Sequence, residues 1–176
     1  SVYRDVEASV TYELAALNES VQPDVNTTVT ATNFSGREYS WYVSCIDEAG
    51  NTNVSETRTL TVDTVGPVIS IESPAYNETV GYQIYVTTDI VDALSNVSSG
   101  WYFVYNGTDT SQQLANGTLN DSSDWDSLWD SSGYPGVAWD ILLVVYANDT
   151  LGNVATNNVS FNLDNARPVM QYVEPT

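Results

Sequence analysis

Histidine and lysine are absent from this 176-residue chain, and there is one cysteine. Without His there is no Ser-His or Cys-His pair and no imidazole metal ligand. Without Lys there is no Schiff base. No Gly-rich loop is placed to cradle a phosphate. Carboxylates are plentiful, but no spacing marks a glycosidase pair. These gaps exclude most catalytic chemistries, and we expect no enzyme. A lone Cys45 rules out an intrachain disulfide. No apolar run is long enough to span a bilayer, and Ser1 does not open a signal-like pattern. Any leader would therefore precede it or have been removed. Four Arg stand against 23 Asp and Glu, a net charge of −19. Nucleic acid is excluded as a partner, because phosphate binding needs cations on the protein. Strong acidity suits a soluble, solvated surface.

Asn in glycosylation context is abundant. Asn18, Asn26, Asn33, Asn53, Asn77, Asn96, Asn106, Asn116, Asn120, Asn148 and Asn158 each open an Asn-X-Ser/Thr triplet without Pro at X. With Ser and Thr at about a fifth of the chain, chance would turn only about three or four of the sixteen Asn into acceptors. The excess points to an exported, N-glycosylated protein at the cell surface or outside the cell. Export without disulfides points to an archaeal envelope rather than a eukaryotic ectodomain.

Val, Ile, Thr and Tyr fill runs of five to ten residues between Gly, Asn, Asp and Pro turns, which is strand sequence. No segment sustains a helical apolar period. The chain also repeats itself. Asp63, Pro67, Val68 and Pro74 recur as Asp164, Pro168, Val169 and Pro175, at a constant offset of about 101. Strands are expected at 67–73, 82–91, 101–105, 111–119, 139–147 and 154–163, with an irregular Asp/Ser/Trp stretch at 120–136. The pattern is that of an all-β sandwich of the Greek-key kind. The first module repeats the second half of that plan: 9–16 matches the third strand, 26–33 an edge strand, 39–46 the segment 141–148, and 54–62 the last strand. The turn at 47–51 corresponds to 149–153, with Gly-Asn supplying the positive φ of a hairpin. Ser1–Asp5 resembles the end of the second strand, or residues 1–6 are that whole strand. No first strand precedes it. The organisation read from this is an incomplete module at 1–63, a complete one at 64–164, and a last strand at 165–176.

The seam Asp-Thr-Val-Gly-Pro-Val-Ile-Ser-Ile-Glu-Ser-Pro at 63–74 and the turn Asp-Glu-Ala-Gly-Asn at 47–51 resemble prokaryotic immunoglobulin-like repeats of cell-surface and extracellular filament proteins. The resemblance covers nearly the whole chain outside 120–136. It implies tandem immunoglobulin-like sandwiches serving as stalks, adhesin arms or surface-layer parts, with no catalytic residues.

Two features suggest assembly. Segment 141–148 is apolar on both faces, with Leu142, Val144 and Tyr146 on the outer one. An exposed sandwich strand should alternate with polar residues. Either the irregular stretch or another subunit should cover that face. In the tail, Met170 and Tyr172 stand where Ile69 and Ile71 stand in the repeat, yet the segment that follows builds no sandwich to receive them. A donated strand supplies main-chain hydrogen bonds and fills alternate pockets, and head-to-tail donation propagates a filament. The expected partner is a further copy of this chain. Expected contact residues are Pro168, Val169, Met170, Tyr172 and Val173 in the tail, Leu142, Val144 and Tyr146 on the strand, and Trp125 and Trp129 in the stretch at 120–136. Two other functions stay open: a piece of a long immunoglobulin-like stalk or surface-layer protein, and an adhesin gripping glycans with the Trp-rich loop.

No cofactor is required. Ca²⁺ is a candidate at Asp121, Asp124, Asp126 and Asp130, or near the module ends at Asp47, Asp63, Asp149 and Asp164. The acidic spacing lacks the Asp-x-Asp-x-Asp-Gly pattern and a closing Glu, and turn chemistry alone accounts for Asp at the hairpins. Cys45 aligns with Ala147, so a packed, inert thiol is expected.

Overall fold

The computed structural model describes residues 1–5, 12–19, 21, 25–121 and 124–172, with the side chains of 2–5 and 12–13 left aside. Thirteen strands and no α-helix occur among these residues. The chain divides into two compact units, Ser1–Thr64 and Val65–Thr176.

The second unit is a two-sheet sandwich. Its strands are β6 (Val68–Ser73), β7 (Thr79–Val80), β8 (Gln83–Val91), β9 (Val97–Tyr105), β10 (Gln113–Leu119), β11 (Ser127–Asp130), β12 (Val137–Asp149) and β13 (Val154–Asp164). One sheet runs β11-β8-β6 and the other β10-β9-β12-β13-β7. The chain crosses between sheets after β6, β7, β8, β10 and β11, as in an immunoglobulin-like Greek key. Alternation sets which face is buried. On β8, Ile84, Val86, Thr88 and Ile90 point inward; on β12, Ile141, Leu143, Val145 and Ala147 are wholly buried. Tyr102, Val104, Phe161 and Leu163 complete the layer from β9 and β13. Each Val, Leu, Ile or Phe among them contributes about 1.5–3 kcal/mol by leaving water. The buried Thr88 hydroxyl donates to the Trp125 carbonyl at 2.8 Å, so its polar group is satisfied. Between the layers, the Asn157 amide donates to Ile69 O at 2.9 Å.

The stretch at 120–136 is not irregular throughout. It contains β11, which pairs antiparallel with β8 from Ser127↔Val86 to Asp130↔Gln83. Only four residues long and flanked by Asp and Ser, it shows too little alternation to stand out in the sequence. The pairing with β8 is what makes it a strand.

The first unit has β1 (Val2–Asp5), β2 (Tyr12–Ala16), β3 (Arg37–Ile46), β4 (Thr52–Val54) and β5 (Arg58–Val62). β3 is the hub, pairing with β1, β4 and β5, while β2 pairs with β1. Register shows what each strand matches. Tyr39↔Leu60 parallels Ile141↔Phe161, and Cys45↔Asn53 parallels Ala147↔Ala155. Val2↔Val43 and Tyr3↔Tyr42 parallel Tyr102↔Val145 and Phe103↔Val144. Ser1–Asp5 therefore occupies the place of β9, not that of the second strand, and β2 occupies the place of β10 rather than that of the third strand. Residues 26–33 form no strand. Five residues of sequence similarity could not decide register; ladder pairing to β3 does.

The first unit is thus one sheet, the equivalent of β10-β9-β12-β13. Among the described residues it lacks a counterpart not only of β6, the missing first strand, but also of β8 and β11.

Candidate functional site

The consequence falls on the inner face of β3 and β5. In the second unit this face is sealed by the facing sheet, and Phe161 is 1% exposed. Its counterpart Leu60 is 41% exposed. Trp41 and Val43 are half-buried where Leu143 and Val145 are fully buried. Cys45 is exposed, which corrects the expectation of a packed thiol: the small position that suits Ala147 under the facing sheet has no cover here. Only Tyr39 is deeply buried, because its own neighbours enclose it. Phe34 meets its ring edge-on at 4.9 Å, the Arg37 guanidinium lies 4.0 Å from the ring centre, and its hydroxyl exchanges hydrogen bonds with Ser35. The result is a sheet face, open over most of its length, on which Trp41, Val43 and Leu60 stand beside Arg37 and Arg58.

At the other end of the chain, Asn165 closes the second unit. It is buried, accepts from Tyr82 N at 2.7 Å, and donates to Ser131 O at 2.8 Å and Tyr134 O at 2.9 Å. Beyond it, residues 166–172 make no strand within the described chain. Pro168 and Val169 are exposed, and Met170 and Tyr172 are 95% and 83% exposed. Val173 lies outside the described residues.

A second surface lies on the outer face of the larger sheet in the second unit. Leu142, Val144 and Tyr146 are half-buried there, opposite Tyr105, Phe103 and Trp101 of β9. Trp101 stacks on Tyr146 at 5.6 Å and 7°, and Phe103 meets Tyr146 edge-on at 5.8 Å. The stretch at 120–136 does not cover this face, since β11 joins the other sheet. Trp101, Phe103 and Tyr105 went unassigned in the sequence. Their signal was present: β9, like β12, is apolar at odd and even positions alike.

The Trp-rich stretch divides differently from expectation. Trp129 is 6% exposed and packs edge-on to Phe161 at 6.5 Å. It is a core residue and offers no contact to a subunit or a sugar. Trp125 is half-buried against the same core, and Tyr134 donates from its hydroxyl to Leu114 O. Only Trp139 is well exposed.

The two Gly-Asn hairpins share one construction. Asp47 Oδ1 accepts from Asn51 N and Oδ2 from Asn51 Nδ2, both at 2.8 Å; Asp149 makes the same pair to Asn153 at 2.9 and 2.7 Å. Gly50 and Gly152 hold φ of 85° and 92°. The Asn51 side chain and backbone hold the Asp47 carboxyl below its usual range. Burial pushes Asp149 up, but the Asn153 hydrogen bonds and the Leu151 and Gly152 amides outweigh it, and the net shift is downward. Both carboxylates accept hydrogen bonds from the turn they build. Asp130 likewise accepts from Ser132 N, and Asp164 from Ala166 N. Glu72, Asp89, Asp121, Asp124 and Asp126 line a cleft of 420 Å³, where Asp126 Oδ1 is buried and makes no hydrogen bond. Among the described residues, no three of Asp121, Asp124, Asp126 and Asp130 bring carboxylate oxygens within 4.8 Å of one another.

No protein-family model and no characterised protein matches the chain. Among solved structures it is similar to the fibronectin(III)-like modules of Clostridium thermocellum CbhA, with 12% identity over 99% of this chain and 83% of that one, at a TM-score of 0.45. The sandwich assignment rests on the strand pairing described above, and that distant likeness adds nothing to it.

The eleven sequon asparagines are distributed over both units, and none is buried. Asn18 and Asn148 are half-buried; the other nine are exposed. The Asn148 amide oxygen accepts from the Ser99 hydroxyl.

Proposed function

We propose that this chain is the structural subunit of a glycosylated extracellular filament or cell-surface fibre, polymerising head-to-tail. Residues 166–176 of one copy, the tail beyond the buried Asn165, cover the open inner face of the first unit in the next. The observation that carries this reading is the contrast between Leu60 and Phe161, equivalent positions with opposite exposure. A tail whose Met170 and Tyr172 align with Ile69 and Ile71 supplies the first strand of the missing cover. In the second unit Ile69 is buried against the core and Ile71 packs on it. A donated strand in the place of β6 fills pockets of the inner face with its alternate side chains. The contact is heterologous, so repetition extends it into a fibre. No reaction is assigned to either face, since neither gathers nucleophile, base and oxyanion donors.

The test compares the full chain with a form truncated after Asn165 and with Tyr172→Asp, by electron microscopy and size-exclusion chromatography. Fibres from the full chain and monomers from both variants are expected. Normal fibres from the truncated form would exclude the tail as donor. The repeated seam also favours a second reading, a segment of a longer stalk or surface-layer protein built from such units. The denatured mass of the protein extracted from its cells separates the two.

A further inference from the structure

The outer face of β9 and β12 raises the question of what covers its rings. Strand register places two sequons at its edges. Asn116 pairs with Phe103, Phe103 with Val144, and Val144 with Asn158. Directly paired residues of antiparallel strands share a side of the sheet, so Asn116–Phe103–Val144–Asn158 is one row across the outer face. Both asparagines are exposed. The +2 residues Thr118 and Ser160, which complete the two sequons, fall on the same side because side chains alternate with period two. Thr118 opens the adjoining row, Thr118–Trp101–Tyr146–Thr156, and Ser160 closes the row on the other side, Gln113–Tyr105–Leu142–Ser160.

The aromatic stripe is therefore two strands wide and bordered on both sides by a glycan acceptor. Asn116 and Asn158 are three strand spacings apart, about 14 Å, so the innermost sugars of a chain on either one reach the central rings. The three rows contain no charged residue, although the chain carries 23 acids. Their borders offer hydroxyls and amides, and their centre offers ring faces. A pyranose has the matching halves: a C–H face that packs on an aromatic ring, and hydroxyls that bond to Thr, Gln and Asn. A second copy is the rival occupant, and it would have to bury the polar border residues Asn116 and Asn158 along with the rings.

We infer that Asn116 and Asn158 carry N-linked glycans whose inner sugars lie over Trp101, Phe103 and Tyr146, so that this face is covered by the protein's own carbohydrate and is not a joint between copies. The inference rests on the extracellular, glycosylated part of the proposed function and is independent of the fibre.

Glycopeptide mass spectrometry of the protein from its own cells, covering all eleven sequons, is the first measurement. Sugar on both Asn116 and Asn158 is expected. Sugar at other sequons but not at these two overturns this inference alone, and no sugar anywhere overturns the glycoprotein reading with it. The second measurement is acrylamide quenching of tryptophan fluorescence in the native glycoprotein and in Asn116→Gln/Asn158→Gln. Removing the glycans should raise the Trp101 quenching constant at least twofold, and adding Trp101→Phe should abolish that increase. An unchanged constant in a variant with native circular dichroism, or a native glycoprotein that dimerises only while Trp101 and Tyr146 are intact, overturns the covering.

Discussion

Leu60 and Phe161 occupy equivalent positions, and truncating each to Ala tests whether the first unit is open. Phe161 is 1% exposed and touches Trp129. Its loss leaves a cavity between two sheets and should cost about 3–5 kcal/mol. Leu60 is 41% exposed, so much of its side chain already meets water. A Leu buried in a closed core would cost about 2–5 kcal/mol. With no facing layer there is no cavity to open, and only the covered part of the transfer energy is lost, about 1 kcal/mol. Hydrogen exchange read by mass spectrometry reports each unit through its own peptides. Measured on dispersed protein in urea, it should show the second unit strongly weakened by Phe161→Ala and the first barely affected by Leu60→Ala. In fibres the order should change, because Leu60 then lies beneath a donated strand; Leu60→Asp should raise the critical concentration tenfold or more. The reasoning is refuted if Leu60→Ala costs the dispersed chain as much as Phe161→Ala. The face would then be covered within a single chain, and there would be no acceptor.

Gly81→Ala should destabilise the second unit by about 1–3 kcal/mol, seen as a lower Tm, because a Cβ there would sit 2.2 Å from Asp164 O and 2.9 Å from Asn165 Oδ1. Asn165→Ala removes one acceptor and two donors from a buried clasp and should cost about 2–4 kcal/mol; Asn165→Asp should be worse, since its carboxylate would face two carbonyls it cannot donate to. Asp149 is held below its unfolded value of 3.8, so its contribution is present above that pH and is lost as pH falls through the folded value. Thermal unfolding of the second unit should be flat from neutral pH to about pH 5 and then fall, and Asp149→Asn should flatten the acid limb. The residues 1–64 carry ten Asp or Glu and three Arg, and the tail 165–176 carries Arg167 and Glu174; Arg167→Glu should slow assembly at low salt and leave the stability of finished fibres little changed, as a rim charge does, and equal assembly rates would count against the tail as donor.

The sequence was most legible where local chemistry and tertiary structure agree. The hairpins at 47–51 and 149–153 were evident because Asp, Gly and Asn each answer a specific backbone need, met by the same hydrogen bonds in both units. β12 stood out because both its faces are apolar. β11 did not, because four residues among Asp and Ser show no period, and only pairing to β8 makes them a strand. The register of Ser1–Asp5 was equally hidden. Any β-branched or aromatic run fits several places in a sandwich, and the choice is made by long-range pairing with β3. Trp129 was misplaced because composition cannot tell an exposed ring from one that plugs a core. Cys45 was misplaced because its equivalence with Ala147 is real, but the layer that buries Ala147 has no counterpart over Cys45 among the described residues.

The two surfaces differ in what they can recognise. The first unit combines its open inner face with the strand edges β2 and β5, whose outward main-chain groups have no ladder partner on that side among the described residues. An edge of that kind rewards an extended polypeptide, whose main chain can continue the hydrogen-bond ladder. The outer face of β9 and β12 has no such edge. Both strands are paired on both sides, and only ring faces and neutral polar borders are offered. That surface rewards a ligand that stacks and needs no backbone ladder. A strand donor would find nothing there to extend, and a sugar would leave the edge of the first unit unsatisfied. The proposed polymer joint and the proposed carbohydrate cover therefore lie on different units, and each can be tested without removing the other.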